Sequence, residues 1–336
     1  MSAGWVAGSV RARALARRRM GADQARQMAA CGSLPEAAAM LAASPYGKAM
    51  SAGQAADRFY GSGVLPGPLL AAGSATEGSA LGQALAGVEH AVAEAVLWDL
   101  RVLAGWLPPG GLQLMRALAG WFEIANVEER LQELAGRPTG DLFRLGALAT
   151  AWPRLRLAGS GADLRAVLVG SAWKDPGGES ELSLRVGLRA RWAERVAELG
   201  EPARTWAATA VALLLAGERF TAGRSPEPAL QSAAVRLLGR GAADAASVDE
   251  LSARLPGRLA WVLEPVSSDT DLWLAEAAWW ARLERDGLAL LGGPGFDAQP
   301  VLGAAAVLAA DARRVGAALE IAARGGGQLE VFDAVA

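Results

Sequence analysis

Three short stretches of this chain begin alike, with the signature of a helix start. They read Ser33-Leu-Pro-Glu36, Ser160-Gly-Ala-Asp163 and Ser247-Val-Asp-Glu250. A serine followed three residues later by an acid is a capping box. The hydroxyl accepts the third residue's backbone N–H, and the acid reaches back to a free N–H at the helix start. Laid in register, the stretches continue alike, with leucine at the eighth position (Leu41, Leu168, Leu255) and an aromatic residue near the thirteenth (Tyr46, Trp173, Trp261). Three boxes in register predict an internal repeat of short capped helices, each beside longer ones. The rest of the chain agrees, because alanine and leucine dominate and runs of β-branched residues are nearly absent. The expected class is all-α, with three related helical-bundle modules at about 1–125, 126–225 and 226–336. Three such modules can close around an axis and leave a socket in the middle.

Periodicity and breakers place the other elements. Residues 5–20 predict a first helix whose Arg11, Arg13, Arg17, Arg18 and Arg19 scatter around it instead of lining one face. The run from Gly61 to Gly73 is a Pro/Gly-rich connector. A long helix is expected from about Thr76 to Leu107, with Leu81, Leu85, Val88, Val92, Val96, Leu103 and Trp106 on one stripe and His90 exposed on the opposite face. Further helices are expected at 141–152, 179–198, 202–220, 226–240, 269–291 and 299–324, followed by a short tail from Gln328.

Composition narrows the chemistry. Net charge is −2, so there is no global basic field for nucleic acid. One cysteine, Cys31, and one histidine, His90, exclude a disulfide framework and the usual zinc sites. The chain has no Gly-x-Ser-x-Gly elbow and no phosphate loop, and its two lysines, Lys48 and Lys174, do not follow glycine-rich turns. The expectation is a non-enzyme without cofactor, metal or small-molecule substrate. No signal peptide is read at the N-terminus, and the most apolar run, Trp206 to Gly217, falls short of the roughly 20 residues of a spanning helix. The expected location is the cytoplasm.

The stretch Gly110–Pro138 reads as one or two helical segments, opened by Pro-Pro-Gly-Gly and closed by Gly-Arg-Pro. Leu112, Met115, Ala119 and Phe122 set an apolar stripe, and Val127, Leu131 and Leu134 continue it in a shifted phase. Glu123 and Asn126 sit at the change of phase. An amide on such a stripe must be hydrogen-bonded if buried, since an unpaired one costs about 1–3 kcal/mol.

The segment WFEIANVEERLQELAGRP resembles an acid–x–x–Asn segment of the C-type (in eukaryotes, d-type) rotor subunits of V/A-type rotary ATPases and ATP synthases. The opening SVRARALARRRM with SLPEAAAMLAASPYG, which ends in Tyr46-Gly, is similar to that family's arginine-bearing first helix and following short helix. The closing RLERDGLALLGGPGFDAQPVLGAAAVLAADARRVGAALEIAARG is similar to its final region. The triple repeat agrees with its three-bundle funnel, so the expected arrangement of the modules is a funnel with a central socket. The chain departs from the family pattern at Gln299-Pro300, where Asp-Pro is usual, and at Asp311, Arg314 and Glu320, where a lysine, a glutamate and an arginine are usual.

The resemblance implies a non-catalytic central-rotor protein that links the central stalk to the membrane proteolipid ring and transmits torque for proton or sodium transport. Its partners would be the central-stalk subunits, the proteolipid ring and the membrane stator, at the cytoplasmic face of the membrane. Glu123, Asn126 and Tyr46 carry the structural motif, and Arg11, Arg13, Arg17, Arg313 and Arg314 are candidates for partner contacts. A divergent α-helical scaffold or adaptor with no ATPase role would share the fold and differ in its partner.

Overall fold

The computed structural model describes residues 2–48 and 80–335, and every regular element among them is helical. The protein is therefore all-α. No helix among the described residues is long and apolar enough to cross a membrane. The expected connector from Gly61 to Gly73 lies outside the described residues. The chain divides into two compact units, one of Met1–Met115, Gly140–Ala147 and Leu283–Ala336, the other of Arg116–Thr139 and Leu148–Arg282.

All three capping boxes form. Ser33, Ser160 and Ser247 accept the N–H of Glu36, Asp163 and Glu250 at 3.4, 3.1 and 3.1 Å. Each acid accepts in return from the residue before its serine, Gly32 at 2.9 Å, Gly159 at 3.2 Å, and Ala246. The helices they open are Leu34–Ala43, Gly161–Val169 and Val248–Arg254. The first two also close alike. Ser44 and Ser171 donate to the carbonyls of Leu41 and Leu168 (2.6 and 2.8 Å), and each accepts from the N–H of the repeat's aromatic residue, Tyr46 or Trp173, at 3.1 Å.

In the first unit the helix Ala298–Ala323 is the centre, with Ala3–Ala16, Ala22–Ala29 and Ala80–Ala104 packed against it. Alanine, valine and leucine dominate its sequence, and Gln299 is its only exposed residue, the pattern of a helix covered on most sides. Gly303 lies where a Cβ would stand 2.6 Å from the carbonyl oxygen of Gly287, so those two backbones approach as only glycine allows. Gly325, at φ +96°, ends the helix, with Gly325 and Gly326 returning N–H groups to Ala322 and Ile321.

The structure differs from four of the expectations. His90 is not exposed: it is buried, and its ring stacks on Phe143 at 4.6 Å and 8°. The stripe assigned to its helix is buried only in part, since Leu81 and Trp106 are about half exposed whereas Ala93, Leu97 and Leu100, off that stripe, are buried. The second half of this helix is thus covered on more than one side. The helix expected over 141–152 does not form either. Residues 141–145 are irregular, a short 3-10 turn spans Gly146–Leu148, and Gly146 takes φ +53°. Burial of Phe143 and Leu145, with Phe143 on His90, outweighs the local helical pattern. The tail from Gln328 is a helix, Leu329–Val335, fastened by buried Phe332 and by an Arg26–Asp333 ion pair.

The second unit is built on Gly120–Leu134, Glu181–Ala197, Ala203–Ala216 and Pro228–Leu238. Ile124, Val127 and Leu131 meet Leu155, Leu164, Leu168, Trp173, Leu184 and Leu188 in one apolar cluster. The helix Gly120–Leu134 ends as Gly-Arg-Pro predicts: Gly136 at φ +68° lets Gly136 and Arg137 return N–H groups to Glu133 and Gln132.

Candidate functional site

The motif residues gather at two buried carboxylates, one in each unit. Glu123 is 1% exposed, in the first turn of Gly120–Leu134. It accepts the backbone N–H groups of Thr150 (2.8 Å), Ala151 and Trp152. These begin the short helix Trp152–Leu155, whose cap residue Ala151 has no side chain able to accept. A helix start leaves N–H groups without partners, and here an acid 27 or more residues earlier supplies them. Charge-assisted bonds of this kind are stronger than neutral ones, which accounts for a carboxylate inside an apolar cluster.

Arg195 completes this site. Its guanidinium lies over the Trp173 ring at 4.5 Å and donates to the Thr150 hydroxyl at 3.2 Å. Burial lowers its pKa, while the charges of Glu123 and Glu198 act the other way. The acid of the motif and the aromatic residue of the second repeat therefore meet around one arginine. Asn126, one turn beyond Glu123, is buried and is not left without a partner.

The first unit repeats the device with different residues. Asp311 is fully buried in Ala298–Ala323 and accepts from the N–H groups of Met20 and Gly21, both at 2.8 Å. Those groups open Ala22–Ala29, whose cap residue Gly21, at φ +80°, has no side chain to offer. Tyr46, the aromatic residue of the first repeat, donates its hydroxyl to Asp311 at 2.9 Å. Burial, and then Asp311, hold that phenol well above its ordinary range. Arg314 pairs with Glu284 and stands 3.7 Å from Asp311. Asp311 and Arg314, which depart from the family pattern in charge, are thus engaged inside the fold.

The third repeat is fastened through carbonyls. Arg219 donates to Ala243 and Ala245 at 2.8 Å each. Ala245 lies two residues before Ser247, as Ala158 lies two before Ser160, and Arg130 binds the Ala158 carbonyl at 2.7 Å. Trp261 packs beside Arg282 at 5.3 Å.

No protein-family model and no curated protein matches this chain. Neither carboxylate site is open to solvent, and both are filled by backbone N–H groups, so both act to fasten helices. Among the described residues no group of three or more metal-ligating side chains comes together.

The arginines singled out for partner contacts separate into two sets. Arg13 donates to the carbonyls of Leu291 (2.9 Å), Gly293 (2.7 Å) and Gly295 (2.8 Å), gathering the carbonyls left over where Leu272–Gly292 ends. Arg314 is buried, and Arg11 and Arg313 are half-buried, near Asp99 and Glu89 respectively. Arg17 is exposed. The roles of Asp311 and Arg195 do not show in the sequence pattern as read above. The signal for Asp311 was an acid with an arginine three residues on, inside a helix that is mostly alanine, valine and leucine. Arg195 carried no such signal, because its partners are 22 and 45 residues away in sequence.

Proposed function

We propose that the chain is a non-catalytic central-rotor coupling subunit of a V/A-type ATPase. In this reading it links the central stalk to the membrane proteolipid ring and transmits torque for proton or sodium transport. It sits peripherally at the cytoplasmic face of the membrane, with its three helical modules arranged as a funnel. The reading rests on the family-like segments occurring in order along the chain. One structural observation supports it: Glu123, Asn126 and Tyr46, on which much of the resemblance depends, are all buried, and Glu123 and Tyr46 join elements distant in sequence. A part that carries torque needs helices fastened to one another by such bonds, and needs no perturbed acid or base at an open site. Arg17, exposed at the end of Ala3–Ala16, is the arginine best placed for a polar contact with stalk or ring.

Affinity purification of the tagged chain from its own membranes, with mass spectrometry of the co-purifying proteins, tests the proposal. Recovery of ATPase head, stalk and proteolipid subunits is the expected result. Recovery of other proteins with the ATPase subunits absent would overturn it in favour of a scaffold or adaptor.

A further inference from the structure

The helix Leu329–Val335 is joined to the first unit by three successive glycines, Gly325, Gly326 and Gly327, at φ +96°, +69° and +82°. The first two are tied down: each returns its N–H to Ala298–Ala323, and a Cβ on Gly326 would stand 2.4 Å from the carbonyl oxygen of Cys31. Gly327 has nothing within 4 Å of where its Cβ would stand, which makes it the free joint of the turn. Beyond the joint, Leu329–Val335 packs on Ala22–Ala29 and Ala298–Ala323. Seven residues are too few for a helix to persist in water by itself, so this one depends on what it touches. Its hold is narrow. Phe332, 2% exposed, is its only buried residue. Asp333 accepts from Nε and Nη2 of Arg26 at 2.8 and 3.0 Å, in a pair about half exposed on both sides, where water weakens the attraction. Glu330, Val331 and Ala334 are exposed. An element with so few buried contacts opens locally at far lower free energy than the helices it rests on.

We propose that Leu329–Val335 is a displaceable strap over a docking groove on Ala22–Ala29 and Ala298–Ala323, and that the groove's other occupant is a partner protein's helix carrying an aromatic residue followed by an acid. The strap displays the chemistry that the groove accepts. It takes an aromatic ring out of water and sets the neighbouring carboxylate on the Arg26 guanidinium, whose fork matches two carboxylate oxygens. A partner helix with the same two side chains meets the same two demands, in the manner of an amphipathic helix laid in a groove. The strap is tethered beside its own groove and competes with any such helix. The groove's apparent affinity is therefore reduced in proportion to the fraction of chains in which the strap is open. The inference does not depend on the rotor reading.

A dye-labelled peptide of residues 328–335, titrated into the full chain and followed by fluorescence anisotropy, tests it. Phe332→Ala in the chain removes the strap's anchor and leaves the groove intact. That chain should bind the peptide about tenfold more tightly than the unsubstituted one, as a strap closed about nine-tenths of the time requires. Gly326→Ala, which drives a methyl group against the Cys31 carbonyl, should strengthen binding by a second route. In the Phe332→Ala chain, Arg26→Glu should weaken binding about fivefold, and a peptide carrying Asp333→Arg should recover it. A peptide carrying Phe332→Ala should not bind. Hydrogen exchange in the unsubstituted chain reads the strap without any variant, and Leu329–Val335 should exchange at least about tenfold faster than Ala298–Ala323. Equal protection of the two helices, peptide binding that neither opened chain strengthens, or binding indifferent to the peptide's Phe332 would overturn the proposal. Failure of the charge exchange would overturn the part assigned to Arg26.

Discussion

Replacement of Glu123 measures how much one buried carboxylate holds together. In Glu123→Ala, three N–H groups lose a charged acceptor, and that of Ala151 sits at a residue 2% exposed. An orphaned buried donor costs about 1–3 kcal/mol. The donors of Thr150 and Trp152, in half-buried residues, recover part of their loss from water. Half-buried Arg195 loses a favourable charge as well. The sum is about 3–5 kcal/mol for Glu123→Ala. Glu123→Gln keeps one oxygen, enough for Ala151 and Trp152, which share Oε1, but turns an amide N–H₂ toward the Thr150 N–H. It should cost about 2 kcal/mol. Urea denaturation at pH 7, followed by tryptophan fluorescence and far-UV circular dichroism, reads both values. If Glu123→Ala lay within about 0.5 kcal/mol of the unsubstituted protein, the ordinary scatter of surface substitutions, the carboxylate would not be fastening the 150–152 turn.

Three further outcomes follow from neighbouring geometry. Asn126→Leu should lower stability by about 1–3 kcal/mol by leaving the partners of a buried amide unsatisfied, and an unchanged calorimetric melting temperature would show the amide to be dispensable. Tyr46→Phe removes the hydroxyl bonded to buried Asp311 and should cost about 1–2 kcal/mol in thermal denaturation, with equal stability counting against that bond. Asp99 is pushed up to about 6 by burial, against the pull of Arg18 and Arg11. Its folded value lies above its unfolded one, so the protein loses stability as pH rises from about 4 to about 6 and no further from this group. Asp99→Asn should flatten that part of the stability profile by about 2–3 kcal/mol, and an unaltered slope would refute the assignment.

Much of the fold was legible because its determinants are local. Ser33, Ser160 and Ser247 cap their helices through residues three positions away, and Gly136 and Gly325 stop theirs through positive φ. Such signals lie within one turn of the helix they govern, so they can be read without knowing what packs against it.

The candidate site was legible only in part. Glu123 and Asn126 stood out as polar residues at a change of phase in an apolar stripe, but their sequence says nothing of what Glu123 holds. Its partners lie 27 to 29 residues on, in a segment whose own pattern reads as helix. The same limit explains His90 and Phe143, each misplaced because neither the helix nor the segment shows that they cover one another. Arg13 looked free for a partner until the carbonyls of Leu291, Gly293 and Gly295 were brought to it from the far end of the chain. The sequence by itself determined most of the helical segments and where most of them begin and end, since those choices are made by backbone groups within a few residues; the 141–152 segment and the tail after Gln328 are the exceptions. Which buried charge answers which unsatisfied backbone group was decided only by tertiary structure, because a lone N–H or carbonyl at a helix end is common to all sequences, and only packing selects the side chain that reaches it.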